Sequence, residues 1–153
     1  MTSPNTMDDK LYFIKLNENA QIPTRIDIED AGYDLHSLEE IIINPGERTL
    51  VDTGIAVKIP KNYCGLIYPR SGLSLKKFDV TTGIIDRNYS GSLKIIVTNN
   101  SNFSYKVKKY DRIAQFLCHF HYSVDAKEMS LSNFNILMQH SARKNKGFGH
   151  SGV

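Results

Sequence analysis

Short apolar segments separated by turn residues run along most of the chain, and almost none has a sustained helical period. The apolar segments predict strands at residues 11–16, 41–43, 50–59, 63–68 and 105–107. A helical turn is predicted at residues 73–78 and a further strand at residues 134–138. Strands this short, with turn residues about every ten positions, are typical of an all-β sandwich or barrel-like fold.

The stretch GIIDRNYSGSLKIIVTN, residues 83–99, predicts a hairpin in which one strand starts at Gly83 and returns over residues 93–98. Its tip carries the carboxylate of Asp86 and the ring of Tyr89, with glycines on both sides. Two interpretations of this stretch stay open. Either Asp86 makes an ordinary turn and Tyr89 covers the core, or both side chains contact a ligand.

The composition limits the class of protein. The 153 residues, 41% of them hydrophobic, suffice for one domain with a core, flanked by a flexible N-terminal tail (residues 1–10) and a mobile C-terminal arm (residues 142–153). The net charge of +3 is too small for a general nucleic-acid binder but suits local contact with a small polyanion. Cys64 and Cys118 lack the spacing of a disulfide framework or zinc site and are predicted to be buried thiols. No apolar leader precedes the domain, so a cytoplasmic or nuclear protein without a signal peptide is expected.

Three further positions carry candidate chemistry. Arg70 and Ser71 follow Pro69, where a guanidinium, a hydroxyl and backbone N–H groups make either an anion cradle or a plain surface turn. Asp34, in AGYDL, lies where a loop becomes a strand and is either a loop-capping carboxylate or a ligand. Gln115 is polar within an apolar run, so it needs a partner from the backbone or from a ligand.

The segment RKNKGFGHSG near the C-terminus has one aromatic side chain, Phe148, between two glycines. The glycines allow bending, Phe148 offers a stacking face, and Arg143 and Ser151 offer donors for phosphate. These features describe a lid that closes over a ligand. A disordered end or an expression tag is the alternative.

In order and spacing, the segments AGYDL, PRSGLS, GIIDRNYSG, DRIAQFL and RKNKGFGHSG resemble the motifs of the trimeric dUTPase family over residues 11–152. The resemblance implies a distorted jelly-roll, β-barrel-like fold (the β-clip) in a homotrimer with an exchanged C-terminal arm. It implies Mg2+-dependent hydrolysis of dUTP to dUMP and pyrophosphate, which keeps dUTP low and supplies dUMP for thymidylate synthesis. Active sites shared between subunits are expected, with neither nucleic acid nor a membrane as partner.

The resemblance also assigns roles to the residues of the predicted hairpin. Asp86 is expected to be the catalytic base for the water that attacks the α-phosphorus. Tyr89 is expected to pack against deoxyribose and to leave no room for a 2′-hydroxyl. Uracil is expected to pair with the backbone of Gly83, Ile84, Ile85 and Lys94.

The remaining roles concern the triphosphate. Arg70, Ser71 and Gly72 resemble the family's phosphate-binding loop, and Gln115 resembles the residue that reaches the α-phosphate. Asp34 is expected to hold Mg2+ through its waters, which suits a cation that loses its hydration shell reluctantly. The arm is expected to grip the γ-phosphate and stack on the uracil through Arg143, Phe148, Gly149 and Ser151.

Some positions depart from the family pattern. Lys144, Lys146 and His150 stand in the arm where glycine, glycine and serine are usual, so the arm is expected to be stiffer and more basic. Tyr110 replaces a glycine and Ser90 replaces a basic residue, and neither position has an assigned role.

Two other functions are considered. A dCTP deaminase of the same superfamily would leave the arm and the pair Asp86 and Tyr89 without their best explanation. A dUTPase-like binding or regulatory protein without turnover is disfavoured, because the residues expected at the site are present.

Overall fold

The computed structural model describes residues 9–139, which fall into two compact units, residues 9–122 and residues 123–139. The strands of the first unit are β1 Tyr12–Lys15, β2 Tyr33–His36, β3 Ile41–Ile43, β4 Arg48–Asp52, β5 Ile55–Lys58, β6 Tyr63–Tyr68, β7 Phe78–Val80, β8 Gly83–Ile85, β9 Lys94–Asn99, β10 Tyr105–Val107 and β11 Arg112–Phe120. A short helix, α1 (Ser71–Ser74), lies between β6 and β7, and the second unit contains helix α2 (Leu131–Leu137). The all-β prediction is confirmed.

All strand pairs in the first unit are antiparallel. The largest sheet has the order β2-β11-β6-β8, a second has the order β4-β9-β7, and two further pairs are β1-β5 and β3-β10. Leu35 and Phe116 from the first sheet and Phe78 and Ile95 from the second are fully buried in one apolar cluster. Burial of these side chains from both sheets is the main force that holds the unit together.

The predicted strand at residues 50–59 is two strands. Gly54 has a φ of 67°, a left-handed conformation that side-chain-bearing residues rarely adopt and that a continuous strand does not allow. The chain therefore turns at Thr53 and Gly54, so that β4 pairs with β9 while β5 pairs with β1.

The predicted hairpin at residues 83–99 is also wrong in its pairing, since β8 and β9 belong to different sheets. The partners of β9 are β4 and β7, and the last hydrogen bond of the β7 side joins Thr81 N to Ile96 O at 2.9 Å. Beyond that bond the chain leaves β9, and β8 pairs instead with β6. The hairpin of β7 and β9 therefore opens at its tip, and β8 and residues 86–93 form the opening.

The prediction of a strand at residues 134–138 is wrong, because helix α2 covers residues 131–137. Ser130 starts this helix by accepting a hydrogen bond from Asn133 N at 3.3 Å, as N-cap serines commonly do. Leu131, Phe134 and Met138 recur at helical spacing. Neither helix in residues 9–139 is long and apolar enough to cross a membrane.

Candidate functional site

Three adjacent strands bring candidate phosphate-binding residues into one row. Gln115 in β11 lies opposite Asp34 in β2 on one side and opposite Tyr68 in β6 on the other. After Tyr68, Arg70 is the N-cap and Ser71 the first residue of helix α1. A cleft of about 360 Å³ lies at this end of the sheet, and its lining includes Arg25, Gly32, Asp34, Arg70, Ser71, Gly72 and Gln115.

The carboxylate of Asp34 is held between two guanidinium groups. Its Oδ1 atom lies 2.9 Å from Arg70 Nε, and its Oδ2 atom lies 3.4 Å from Arg112 Nη1. A bulge in β11 between Arg112 and Ala114 makes the second contact possible, because the extra residue places Arg112 on the same face as Gln115. Two arginines around one carboxylate leave this group with a net positive charge, which suits an anionic ligand.

Gln115 finds its partner in the backbone of the loop after β6. Its Nε2 atom donates to Pro69 O at 2.9 Å, so the side chain points toward the loop that carries Arg70. Gly32 makes room for this side chain, because a Cβ atom there would lie 2.6 Å from Gln115 Oε1. The need for a partner was predicted from the sequence, and the required glycine was not.

Next to this cluster, His36 is buried, with 6% of its surface exposed. Its Nδ1 atom has no hydrogen-bond partner among residues 9–139. Burial lowers the pKa of His36; the nearby Asp34 opposes this effect, while Arg112 and Arg70 add to it. At neutral pH the buried imidazole beside Asp34 is therefore uncharged.

Asp86 and Tyr89 occupy one tight turn after β8. Tyr89 N donates to Asp86 O at 3.0 Å, and Tyr89 Oη donates to Ser92 O at 2.9 Å. Both side chains are exposed. The turn thus fixes the backbone between the carboxylate and the ring while it leaves both accessible to a ligand.

The backbone expected to read a base lies on an edge strand. One edge of β8 pairs with β6, and the other edge pairs with no strand in the part of the chain that the structure describes. A Cβ atom on Gly83 would meet nothing within 4 Å, so the chain's own packing gives no reason for a glycine there. Lys94 lies across the opening, as the first residue of β9 and opposite Asp52 of β4.

Within one chain, Asp86 lies apart from the cleft that Asp34, Arg70 and Gln115 line. Gly83 pairs with Ile67, near the row of Tyr68, but the strand then runs away from that row to Ile85, which pairs with Gly65. Asp86 is thus four strand positions, or about 13 Å, from the row that contains Gln115. Gln115 points away from Asp86, toward Pro69. The structure brings Asp34, Arg70, Ser71 and Gln115 together, and it does not bring Asp86 to them.

The remaining positions are two further arginines near the cleft, the candidate metal ligands and the residues of the C-terminal arm. Arg25 and Arg112, which the sequence analysis left unassigned, supply further positive charge to the cleft and to Asp34. Within residues 9–139, no group of three metal-ligating side chains is present. The expectations for Arg143, Phe148, Gly149 and Ser151 lie outside the described residues.

Comparisons with known proteins agree on one family. The model of the dUTPase family matches residues 18–152. The deoxyuridine 5′-triphosphate nucleotidohydrolase of variola virus (isolate Human/India/Ind3/1967) is 39% identical over 147 residues, and that of vaccinia virus (strain Copenhagen) is 40% identical over 148 residues. Each alignment covers 96% of this chain and 96% of the relative.

Solved structures give the same result. A mutant dUTPase of Staphylococcus bacteriophage 80alpha with dUpNHpp is similar at a TM-score of 0.82, with 31% identity over 94% of this chain and 99% of that chain. A mutant dUTPase from phage phi11 of S. aureus, described with a structural Mg(II) ion, has a TM-score of 0.75 and 30% identity, and the match covers 80% of this chain and 97% of that chain.

Proposed function

Because the chain belongs to the dUTPase family, we propose that it hydrolyses dUTP to dUMP and pyrophosphate and so keeps dUTP low while supplying dUMP. The observation that carries the proposal is the cleft in which Arg25, Arg70 and Gln115 offer donors to an anion, together with the open edge of β8. The cleft suits a triphosphate, and the strand edge suits a pyrimidine that offers both a donor and an acceptor. The cleft and the strand edge thus have separate roles, the first in binding the triphosphate and the second in binding the base.

The active site is formed between subunits of a homotrimer. Gln115 and Asp86 are both assigned to the α-phosphate, yet in one chain they lie about 13 Å apart along the strands and Gln115 points the other way. A catalytic base must lie within hydrogen-bond reach of its water, directly or through one more water. The cleft of one protomer therefore faces Asp86 of a neighbour, which also gives exposed apolar side chains such as Ile84, 72% exposed, a partner surface.

Asp86 acts on the attacking water. Its carboxylate accepts a proton while the water oxygen forms a bond to the α-phosphorus, and the bond from that phosphorus to the bridging oxygen breaks to release pyrophosphate. An exposed aspartate is a weak base, so the positioning of the water and the neutralisation of phosphate charge supply most of the rate.

The phosphate loop supplies that neutralisation. Arg70, Ser71 and Gly72 bind phosphate oxygens, and Gln115 donates to the α-phosphate. Gly72 suits close approach of an anion, since a Cβ atom there would meet nothing of the chain itself within 4 Å. Asp34 orients Arg70 through their 2.9 Å contact.

Magnesium fits this cleft only as an ion that arrives with the triphosphate. Both oxygens of Asp34 already contact arginines, and within residues 9–139 no three ligating side chains form a cage. Asp34 would therefore hold a water of the hydrated ion, while the phosphates bind the metal directly, as Mg2+ commonly binds in nucleotide sites. Bound there, the ion neutralises charge on the phosphates.

The opening between β8 and β9 binds the base and the sugar of the nucleotide. Backbone groups from Gly83 to Ile85 and at Lys94 pair with uracil and mismatch the amino edge of cytosine. Tyr89 packs on the deoxyribose and excludes a 2′-hydroxyl. From a third subunit, the arm closes the site with Arg143, Phe148, Gly149 and Ser151.

The test is pyrophosphate release by the full-length protein from dUTP, dCTP and UTP, each with Mg2+ or with EDTA. Release from dUTP alone, and only with Mg2+, is expected. Ammonia from dCTP would replace the proposal by a deaminase. Tight binding of dUTP without release would identify a binding protein instead.

A further inference from the structure

The turn after β8 is tied to the turn between β4 and β5 by a chain of hydrogen bonds. Tyr89 Oη donates to Ser92 O at 2.9 Å, and Ser92 Oγ donates to Asp52 Oδ1. The same Asp52 oxygen accepts from Gly54 N at 2.8 Å. This series of hydrogen bonds therefore ends on the backbone of the turn between β4 and β5, where Gly54 has a φ of 67°.

The neighbouring residue strengthens this connection. Leu93, which is fully buried, donates through its N to Ile55 O at 2.7 Å and accepts from Thr53 Oγ1 at 2.7 Å through its carbonyl. Residues 92 and 93 are therefore anchored to the turn between β4 and β5 through both side chain and backbone. Tyr89 is the exposed end of an otherwise half-buried or buried network.

Gly91 lets the ring of Tyr89 lie against its own turn. A Cβ atom at Gly91 would lie 2.5 Å from Tyr89 Oη and 2.7 Å from Tyr89 Cζ. Atoms do not approach this closely without displacement, so any side chain at position 91 would move the ring or break its bond to Ser92 O. The position of the Tyr89 ring is thus defined by its contact with Gly91 and by the hydrogen bond from its hydroxyl to Ser92 O.

We propose that Ser92, held by Asp52, is a positioning residue that sets the preference for deoxyribose over ribose by fixing the ring of Tyr89. The inference rests on the proposed function, in which Tyr89 packs on the sugar. To exclude ribose, which has one more hydroxyl than deoxyribose, the ring that contacts the sugar must keep its position. An exposed tyrosine on a turn would otherwise rotate or shift with the turn to admit it. The hydrogen bonds through Ser92 remove that freedom.

A Ser92→Ala variant tests the inference, because it removes the hydroxyl that contacts Asp52 and keeps the carbonyl that Tyr89 contacts. Ser92→Thr keeps a hydroxyl, and Ser90→Ala is the matched control, since Ser90 is an exposed serine of the same turn and its side chain makes no hydrogen bond with residues 9–139. In the full-length protein with Mg2+, calorimetry measures binding of the α,β-imido analogues of dUTP and UTP. Hydrolysis of dUTP and UTP is measured in parallel as kcat/KM.

The ratio of the two affinities is expected to fall roughly three- to tenfold in Ser92→Ala, as the loss of one hydrogen bond predicts. In Ser92→Thr and Ser90→Ala it should stay within about twofold of the wild type. A purely structural role would weaken both analogues equally and leave the ratio unchanged. An unchanged ratio in Ser92→Ala, an equal fall in Ser90→Ala, or a wild type without sugar preference would each overturn the inference.

The two proposals can fail separately. If the wild type prefers the deoxy analogue but releases no pyrophosphate, the proposed hydrolysis is wrong, and the affinity ratios still decide the role of Ser92. If Ser92→Ala does not fold, Tyr89→Phe removes the hydrogen bond to Ser92 O at the exposed end of the same network and should lower the affinity ratio similarly. Where both fold, the double variant should resemble either single variant, and additive losses would contradict a shared network.

Discussion

The Nε atom of Arg70 lies 2.9 Å from the Oδ1 atom of Asp34 and so joins the loop after β6 to strand β2. The side chains are only partly exposed, at 30% for Arg70 and 18% for Asp34, so water screens the contact less than it screens an ordinary surface pair. The aspartate therefore fixes the direction of a guanidinium that the proposed function places on a phosphate.

Asp34→Asn removes the charge that holds both arginines and the proposed hydrated Mg2+. Loss of a residue that acts on a metal through its waters commonly costs about 10- to 100-fold in metal affinity or activity. We expect kcat/KM for dUTP to fall by about that factor and the Mg2+ concentration at half-maximal rate to rise. A titration of the rate with MgCl2 measures both.

The matched control for that variant is Glu40→Gln. It breaks an ion pair of 2.8 Å with Lys106, in which both side chains are 53% exposed and neither belongs to the proposed site. Its Mg2+ dependence should equal that of the wild type. An unchanged Mg2+ dependence in Asp34→Asn would remove Asp34 from metal binding.

Asp86→Asn keeps the size of the side chain and removes the proposed base. Hydrolysis of dUTP should fall by about a thousandfold or more, while binding of the α,β-imido analogue should change little. Single-turnover kinetics and calorimetry check the two halves of this prediction. Near-normal turnover would show that Asp86 does not activate the water.

Stability should depend on pH through His36. Burial lowers the pKa of this histidine in the folded protein, so the unfolded chain binds its proton more readily. Its contribution to stability is then complete above the unfolded value of about 6.5 and is lost as the pH falls through the lower folded value. Urea unfolding at pH 7.5, 6.5 and 5.5 should show this decline.

His36→Phe removes the titrating group and keeps a planar ring of similar shape. The loss of stability between pH 6.5 and 5.5 should be smaller in this variant than in the wild type. His119→Gln, at an exposed position of β11, should keep the wild-type decline. The same decline in His36→Phe would mean that another group causes it.

Asn99 should be a main contributor to stability away from the site. This buried side chain donates to Ile43 O at 2.9 Å and to Phe103 O at 2.8 Å, and so ties β9 to β3 and to the loop before β10. Asn99→Ala leaves both carbonyls without these donors and should cost about 2–4 kcal/mol in the free energy of unfolding. Urea unfolding at one protein concentration measures it. Asn100→Ala, whose side chain is exposed, should cost less than about 1 kcal/mol.

Local sequence pattern predicted most of the strands but not their pairing. Strands β3, β6 and β10 have the predicted bounds, because turn residues or a proline flank short apolar runs there. Partners are chosen by long-range packing, which no local pattern records, and so the pairing of β8 and β9 was mispredicted. The division of residues 50–59 into β4 and β5 was also missed. It depends on the left-handed conformation of Gly54, which a glycine can adopt but does not have to adopt.

The sequence likewise predicted some residues of the candidate site and missed others. Asp34, Arg70 and Gln115 were identified through their resemblance to family motifs, and the structure places them together. Arg112 was missed, because its face depends on a bulge that resets the alternation of β11. Ser92 was missed as well, since its partner Asp52 is distant in sequence and only the folded turn brings the two together.

In the proposed trimer, Asp86 of one subunit acts at the phosphate cleft of another. Asp86→Asn and Arg70→Ala each disable one half of the site, so the two inactive proteins can be unfolded, mixed in equal amounts and refolded together. If the halves come from different subunits, one site in each mixed trimer combines an intact Asp86 with an intact Arg70. At random assembly this is about a quarter of all sites, and about that fraction of wild-type pyrophosphate release should return. If no activity returns although mass spectrometry shows mixed trimers, both residues serve a site within one chain, which would contradict an active site shared between subunits.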